Sequence, residues 1–433
     1  MRQQRHIVAI FSLMFALFFT VPAPLFAVEE QETYRITQKG AETIAIAIHH
    51  LASSGKQENA FATKLDNLIR HNLDFIGLFS INPTPLNIDG STETAIRGLS
   101  TLSDELYLTG TVTTKNGLVN LEAKVYDVPG LKLLIRKNYS GKEKDLKHIS
   151  DTFCGDLLER VIGKRSVFGS QIAFVGTASG YKEIYLCDFD GTNIEQLTEL
   201  KSISLTPALS PDGKYLAFTD FTTRRPGLSI KNLHNDTIVR VPQHGVSVDP
   251  AWRNERELAT TLSFEGDQEI YLIKSEGTIY RRLTRNFGID LSPSFSPDGN
   301  QMVFVSERNG QPQLFIQNLL TAEVRRLTYS GDYNTQPAWS PKGDKIAFTT
   351  YEKNGEINIF VVSTDGLELK QLTEKSGKNE SPSWSPDGDM IVFTSDRSGK
   401  RKLYVMTAAG SGQRELFEMK GEQMQPFWSQ YRK

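Results

Sequence analysis

The chain has 433 residues, of which 39% are apolar, 10% aromatic and 23% charged, a composition that excludes a disordered or collagen-like protein. Its length allows more than one domain and a large core that needs no disulfides. The 49 Lys and Arg residues nearly balance the 51 Asp and Glu residues, so the net charge is −2 and nucleic acid is not an expected partner.

The first 27 residues have the features of a secretory signal peptide. Arg2 and Arg5 precede an apolar run over residues 7–19, and Ala27 provides a small residue for cleavage. The alternative is an uncleaved membrane anchor, but this run of 13 residues is shorter than the ~20 that span a bilayer. A cysteine does not follow the run, which excludes an N-terminal lipoprotein, and no later segment is apolar enough to span a membrane. We therefore expect a mature chain that begins at Val28 and does not cross the membrane.

Residues 28–163 mix helix and strand patterns and are predicted to form a small α/β domain. The apolar spacing indicates two helices, over Asn59–Leu73 and over Leu146–Ile162, the second ending at Gly163. Strands are predicted at Ala41–Ile48, Leu106–Val112, Val119–Tyr126 and Leu131–Tyr139. The sequence Lys115-Asn-Gly117 indicates a hairpin between two of these strands.

Residues 164–433 carry an internal repeat. A Pro–small–aromatic anchor recurs with spacings of 43, 43, 44, 45 and 44 residues, at Pro207, Pro250, Pro293, Pro337, Pro382 and Pro426. Turns of the Ser-Pro-Asp-Gly type follow four of the anchors and end at Gly213, Gly299, Gly343 and Gly388. Three short β-like runs follow each turn, which makes four strands in about 44 residues and is typical of a β-propeller blade.

Counting the middle strand of each unit predicts six blades. The first unit begins at Gln171–Phe174 without an anchor strand, whereas the last anchor, at Gln425–Trp428, has no unit after it. We expect this C-terminal strand to complete the first blade and close the ring; an open β-solenoid is the alternative. The predicted fold class is thus multidomain, with a small N-terminal α/β domain and an all-β six-bladed β-propeller closed by its C-terminal strand.

The sequence offers little catalytic chemistry. It contains no Gly-x-Ser-x-Gly elbow, no Gly-rich phosphate loop and no histidine spacing suited to a metal, so we expect no catalytic residue, no metal and no cofactor. Cys154 and Cys187 are expected to be separate buried thiols, with a disulfide as the alternative. Blade packing accounts for the tryptophans at the anchors. What remains is a binding scaffold, whose variable loops enter the inner strands around the channel mouth at 199–206, 243–249, 285–292, 329–336, 374–381 and 418–425.

The repeats Pro337-Ala-Trp-Ser-Pro-Lys-Gly343 and Ser381-Pro-Ser-Trp-Ser-Pro-Asp-Gly388, together with the junction Leu158-Glu-Arg-Val-Ile-Gly163, resemble the TolB family over the whole chain. This resemblance implies a non-enzymatic periplasmic protein of a Gram-negative bacterium that links inner-membrane Tol proteins to the peptidoglycan-associated lipoprotein Pal. Its implied roles are outer-membrane integrity and constriction during cell division. The implied partners are Pal, TolA and other Tol or outer-membrane components, and we expect a monomer.

The family resemblance also implies two sites. Pal is expected at the channel mouth, where the entering loops offer His244, Val248, Asp290, Thr335, Glu380 and Met424. TolA is expected on the start of the mature chain, at Val28, Glu29, Glu30, Gln31, Glu32 and Thr33. A solvated tail without a role is the alternative for that segment. For the whole chain, the alternative is a periplasmic propeller enzyme or a sugar-binding propeller, which carboxylates clustered in the channel would favour.

Overall fold

The computed structural model describes residues 43–83, 97–98 and 105–429, apart from residues 165, 224, 243–244 and 264–265. The predicted signal peptide and the predicted TolA-binding segment, residues 28–33, lie outside the described residues. Within the described residues, no helix has both the length and the apolar character that a membrane span requires.

A five-stranded sheet backed by two helices forms the N-terminal region. Its elements are β1 (Ile44–Ile48), α1 (Lys56–Ile76), β2 (Phe79–Pro83), β3 (Leu106–Lys115), β4 (Leu118–Asp127), β5 (Lys132–Gly141) and α2 (Leu146–Ile162). The strand order is β2-β1-β3-β4-β5, with β1 parallel to both of its neighbours and the other pairs antiparallel. Both predicted helices and all four predicted strands are present. Strand β2 was not predicted.

Local sequence explains where these elements stop. Both helices end at a glycine with positive φ, Gly77 at 65° and Gly163 at 77°, because a left-handed residue caps the last helical carbonyls. The predicted hairpin is confirmed, since Asn116 and Gly117 take φ of 53° and 73° between β3 and β4. Helix α1 buries the stripe Phe61, Leu65, Ile69 and Leu73 in the core that it shares with the sheet.

Six four-stranded antiparallel sheets form the rest of the described chain. The inner strands are β9 (Ser204–Leu209), β13 (Ser247–Trp252), β17 (Asp290–Phe295), β21 (Tyr333–Trp339), β25 (Asn379–Trp384) and β29 (Gln423–Trp428). The second strands are β6 (Gln171–Gly176), β10 (Tyr215–Asp220), β14 (Glu257–Leu262), β18 (Gln301–Ser306), β22 (Lys345–Tyr351) and β26 (Met390–Ser395).

The two outer strands of each sheet complete the blades. The third strands are β7 (Glu183–Asp188), β11 (Gly227–Asn232), β15 (Glu269–Lys274), β19 (Gln313–Asn318), β23 (Ile357–Ser363) and β27 (Lys402–Thr407). The fourth strands are short, at β8 (Glu195–Gln196), β12 (Ile238–Arg240), β16 (Ile279–Arg282), β20 (Val324–Arg326), β24 (Leu369–Gln371) and β28 (Arg414–Glu415). The chain is therefore a small α/β region followed by a six-bladed β-propeller.

The C-terminal strand closes the ring. Strand β29 pairs antiparallel with β6, placing Trp428 opposite Ile172 and Met424 opposite Val175, so the first blade has the order β29-β6-β7-β8. Strand β29 also contacts the inner strands β25 and β9 on either side. The predicted closure is confirmed, and the described propeller has no gap through which the ring could open as a solenoid.

The repeated Leu-Thr sequence fastens the outer strand of several blades. In the first blade, the Thr198 hydroxyl accepts a hydrogen bond from the Ile184 amide at 2.8 Å and donates one to the Glu183 carboxylate at 2.6 Å. The same arrangement recurs with the hydroxyls of Thr284, Thr328 and Thr373. Since every polar atom in this group is buried, the bonds explain why a threonine recurs there.

The anchor tryptophans and the two cysteines behave as expected. Trp252, Trp339, Trp384 and Trp428 are all buried between blades. The Nε1–H groups of Trp252 and Trp384 donate to the carbonyl oxygens of Ala208 and Ala338 in the preceding blades, each at 3.0 Å. Cys154 and Cys187 are free, fully buried thiols, and burial raises the pKa of both.

Phe189 is one of the buried side chains through which the α/β region packs on the propeller. Phe189, at the hairpin between β7 and β8, is fully buried and meets the rings of Phe75 and Phe168 edge-on, each at 5.3 Å. The Lys147 ammonium lies 4.6 Å from the centre of the Phe189 ring. This hairpin therefore inserts an aromatic side chain between α1, α2 and the segment that leads into the propeller.

Charged groups surround that contact. Lys147 Nζ lies 2.9 Å from Asp190 Oδ2, and His71 Nε2 lies 3.3 Å from the same oxygen. Burial opposes ionisation of Asp190, but the hydrogen bond from His71 and the charge of Lys147 hold the pKa of this carboxyl well below its usual range. Further links are made by Lys164 with Asp389 and by Ser166 with Asp387 at 3.0 Å. The α/β region is thus held on the face of the ring where the turns after the inner strands emerge.

Removal of residues 424–433 is expected to destabilise the propeller severely. The deletion removes most of β29, including buried Met424 and Trp428, and leaves β6 as an unpaired edge in an open ring. Loss of these side chains alone would cost about 5 kcal/mol or more of unfolding free energy. Thermal unfolding measures the effect, and a chain that ends at Ser429 is the control. Equal melting temperatures for the two truncations would contradict the closure argument.

Phe189→Ala is expected to uncouple the α/β region from the propeller. The substitution leaves a cavity at the contact between them and should cost about 3–5 kcal/mol. Because this contact lies where the two regions meet, calorimetry should resolve two unfolding transitions in place of one. Phe304→Ala, which removes an equally buried ring inside the propeller, is the control and should lower stability without separating the transitions. A single transition in both variants would show that Phe189 has no special role in docking.

Candidate binding site at the propeller channel

Six residues with left-handed backbone form a ring around the channel. They share one position, the residue before each anchor proline, and have φ between 49° and 56°: Thr206, Asp249, Ser292, Gln336, Ser381 and Gln425. At this position the pairing of each inner strand with its neighbour shifts register, which marks a β-bulge. The bulge turns the six side chains toward the channel axis, so all of them line the cavity there.

Hydrogen bonds join these six residues in three pairs between adjacent blades, two through a backbone amide and one between side chains. The Thr206 amide donates to Gln425 Oε1 at 3.0 Å, and the Ser292 hydroxyl donates to Asp249 Oδ2 at 2.6 Å. The Ser381 amide donates to Gln336 Oε1 at 2.9 Å. Each bond spans one blade boundary. The polar ring therefore contributes to holding the blades together as well as to lining the channel.

The cavity at the mouth has a volume of about 360 Å³. The six anchor prolines form its floor, and Leu291, Tyr333 and Thr335 complete its wall. Asp249 is the only ionisable carboxylate among the described residues that line it. Burial raises the pKa of Asp249, although the hydrogen bond from Ser292 works in the opposite direction. The mouth thus offers amide and hydroxyl groups with one partly desolvated carboxylate.

The opposite end of the channel has a different lining. A cavity of about 720 Å³ opens there, on the far side of the anchor prolines. Its wall consists of the anchor tryptophans and the prolines of the Ser-Pro turns, with Arg253 and Glu255 as its charged residues. Because the tryptophans are buried in blade packing, this end presents mainly ring edges and proline rings.

The structure corrects the predicted position of the mouth residues. Five of them were expected in loops but belong to inner strands, because these strands begin three or four residues before the anchor proline. Val248 and Glu380 are half-buried, and Thr335 and Met424 are buried, with Thr335 in the wall of the channel. His244 lies outside the described residues.

Asp290 has a structural environment that the sequence did not suggest. It is fully buried at the first position of its inner strand and accepts a hydrogen bond from Arg308 Nη2 at 2.9 Å. The position three residues before the anchor proline also holds a buried polar residue in the other blades, at Ser204, Ser247, Asn334, Asn379 and Gln423. Asp290 therefore belongs to the internal polar network of the propeller, and the idea that it lies free in a loop is wrong.

Sequence reasoning missed the ring of left-handed residues. A signal was available, because the residue before the anchor proline is polar in all six repeats. A side chain that pointed into a blade core would be apolar in most repeats. Consistent polarity beside an otherwise apolar anchor therefore indicates a position that faces an open channel.

The chemistry of the mouth suits binding. The carboxylate cluster that would favour a propeller enzyme is not found among the described residues of the lining, where Asp249 stands alone. No group of three or more metal-ligating side chains occurs in the described part of the chain. A closed propeller with a polar channel mouth, attached to a small α/β region on its other face, defines a propeller-type binding scaffold.

Comparisons with known proteins place this scaffold in a family. The family model described as TolB beta propeller domain matches residues 158–432. A protein of Chlorobium luteolum named "Protein TolB homolog" is 51% identical over 434 residues, covering 99% of both chains. A protein of Desulfosudis oleivorans named "Tol-Pal system protein TolB" is 38% identical and covers 64% of this chain and 65% of its own. The chain belongs to the TolB family.

A solved structure supports the fold. The crystal structure of TolB from Acinetobacter baumannii superposes with a TM-score of 0.78, covering 90% of this chain and 97% of the other. Its sequence identity is 22%, so the likeness concerns the fold alone. Both the α/β region and the propeller are included in a match of that extent.

Asp249→Asn is expected to stabilise the protein increasingly as the pH rises. Because the folded-state pKa of Asp249 is raised, the parent loses stability when the pH rises from about 4, the unfolded value, through the higher folded value. Asparagine keeps an acceptor for Ser292 but carries no charge, so the variant avoids this loss. Denaturant unfolding at pH 4 and pH 7 measures the difference. Asp332→Asn, which makes the same change at an exposed carboxylate of the rim, is the control for the substitution itself.

Proposed function

We propose that this chain is the propeller scaffold of a Tol–Pal system in the periplasm of a Gram-negative bacterium. It acts without catalysis, linking inner-membrane Tol proteins to the lipoprotein Pal, and it serves outer-membrane integrity and constriction during cell division. The observation that carries this proposal is the 51% identity to a TolB homolog over nearly the whole of both chains. At that identity and coverage, the binding surfaces as well as the fold are expected to be shared.

Pal binds at the channel mouth in this proposal. The inner strands hold the mouth rigidly through the paired ring, so a partner meets a preorganised surface and little ordering entropy is lost on binding. Thr335 in the channel wall and half-buried Val248 and Glu380 remain candidate contacts, together with the loop that contains His244. Asp290 and Met424 are buried in the inner strands and support these contacts from within the blades.

The mature N-terminus, residues 28–33, binds TolA in this proposal. The segment contains three glutamates and few apolar side chains, so it cannot bury enough apolar surface to order itself. A partner that binds only the released segment gains affinity when Pal favours release. Thermodynamic linkage makes the effect reciprocal.

The proposal also assigns a role to each segment of the chain. Residues 1–27 direct export and are removed, residues 28–163 form the α/β domain with its partner-binding start, and residues 164–433 form the propeller. The mature protein acts as a monomer. Its two partners then reach it at separate places, the N-terminal segment and the channel mouth.

Deletion of residues 28–33 is expected to abolish TolA capture and to leave Pal binding unchanged or stronger. The deletion removes the proposed TolA segment without touching any described element. Pull-down and calorimetry with purified Pal and TolA periplasmic domains measure both interactions, and thermal unfolding confirms that the fold is kept.

Replacement of Glu29, Glu30 and Glu32 by glutamine in the full-length mature chain removes the charge of the segment and keeps its length. It therefore tests which of the two TolA binding requires. Capture of TolA at parental affinity by the deletion variant would refute the N-terminal site. Failure of the parent chain to bind either partner would refute the proposed function as a whole.

A further inference from the structure

The rim of the channel mouth is chemically divided into two halves. Five-residue segments that follow the outer strands contribute to this rim, and the five that are fully described fall into two groups. Those at 374–378, 418–422 and 199–203 carry two or three charged residues each. The segments at 285–289 and 329–333 instead carry one charge each and present Phe287, Tyr329 and Tyr333.

The aromatic side chains of the second half are unusually open to solvent. Phe287 is 94% exposed and Tyr329 is 76% exposed. Tyr333 is partly exposed, lines the channel and packs edge-on against Tyr351 at 5.3 Å between ring centres. We define Phe287, Tyr329, Tyr333 and Tyr351 as the aromatic arc. It runs over two consecutive blades, from the outer rim to the channel wall.

Hydrogen bonds to a buried carboxylate hold the loop that carries Phe287 in place. The Asn286 amide donates to the buried Glu269 carboxylate at 2.8 Å, and that carboxylate also receives Arg282 Nη2 at 3.0 Å. Gly288 follows with φ of 106°, a conformation that favours glycine. The ring therefore points into solvent on a loop whose backbone is already ordered.

The loop that carries Tyr329 is held in the same way. Gln313 Nε2 donates to the Gly331 carbonyl at 2.9 Å, and Asn334 Nδ2 donates to the Ser330 carbonyl at 2.7 Å. A Cβ atom on Gly331 would lie 2.6 Å from Asn334 Oδ1, so the close approach requires glycine. The Arg326 guanidinium lies 4.8 Å from the centre of the Tyr329 ring and fixes one of its faces.

We infer that the aromatic arc is the energetic anchor of the Pal interface and that the charged half of the rim sets orientation. This inference rests on the proposed function, because it names the part of the mouth that holds the same partner. Large aromatic side chains dominate interface energies, and presenting them on ordered loops removes much of the entropy cost of binding. Exposed charges at a rim act mainly on the association rate and its salt dependence.

The occupant that this surface fits is a folded domain with an apolar patch bordered by mixed charge. The arc continues into the channel through Tyr333, so an occupant of the mouth covers both. The opposite face of the propeller offers a comparison, since Leu320 is 76% and Leu367 is 84% exposed at hairpins between outer strands. These leucines match the arc in exposure but lie away from the mouth.

The test is calorimetric titration of the mature chain with the periplasmic domain of Pal from the same bacterium. F287A/Y329A should weaken binding at least about thirtyfold, the effect expected for an interface hot spot. The matched control L320A/L367A should stay within about twofold. F287Y/Y329F keeps the aromatic area and should restore binding, whereas K375E/K420E should lose less than about tenfold in affinity. Surface plasmon resonance should show slower association of that variant, with an altered salt dependence.

Each outcome decides the inference. Binding by F287A/Y329A within threefold of the parent, with an unchanged melting temperature, would overturn the anchor while leaving the proposed function intact. No binding by the parent would overturn both. Sedimentation of the parent alone tests a second copy as occupant: a dimer that disappears in F287A/Y329A would assign the arc to self-association and overturn the assignment to Pal.

Discussion

The pairing of β29 with β6 is the constraint on which the rest of this molecule depends. Six blades arranged in chain order leave the ring open at the first blade, which lacks its inner strand. A strand from the far end of the chain completes that blade. Once Trp428 and Met424 are buried there, every inner strand has a neighbour on both sides. The channel then acquires a fixed width, and its mouth becomes a surface that stays in place when a partner approaches.

The same residues build the ring and define its channel. Each inner strand bulges at the residue before the anchor proline, and each bulge places a polar side chain beside its counterpart in the next blade. All six positions adopt the same left-handed backbone conformation, which is strained for residues other than glycine. The strain therefore belongs to the repeat of the propeller as well as to the candidate site. Because the polar groups satisfy one another in pairs, the channel can be lined with amides and hydroxyls without losing rigidity. Asp249 is the one carboxylate in these pairs, and the Ser292 hydroxyl donates to it.

The two faces of the propeller carry different structural features. The face that carries the turns after the inner strands holds the α/β region through Phe189 and the ion pairs around Lys147 and Asp190. The other face carries the channel mouth and the aromatic arc. The buried contact at Phe189 lies where the two regions meet.

The number of blades, the strand that closes them and most helix and strand positions could be predicted from the sequence. These features follow from repeats, glycine caps and apolar spacing, which act over short distances along the chain. The sequence did not determine which mouth residues are accessible. Asp290 lies within six residues of an anchor in the sequence, yet it is buried and bonded to Arg308, which lies in the turn after the neighbouring strand. The ring formed by Thr206, Asp249 and their four counterparts likewise exists only when the blades are assembled, since each pair joins residues 43 or more positions apart. Burial and partners at these positions depend on which blades become neighbours, and only the tertiary structure decides that.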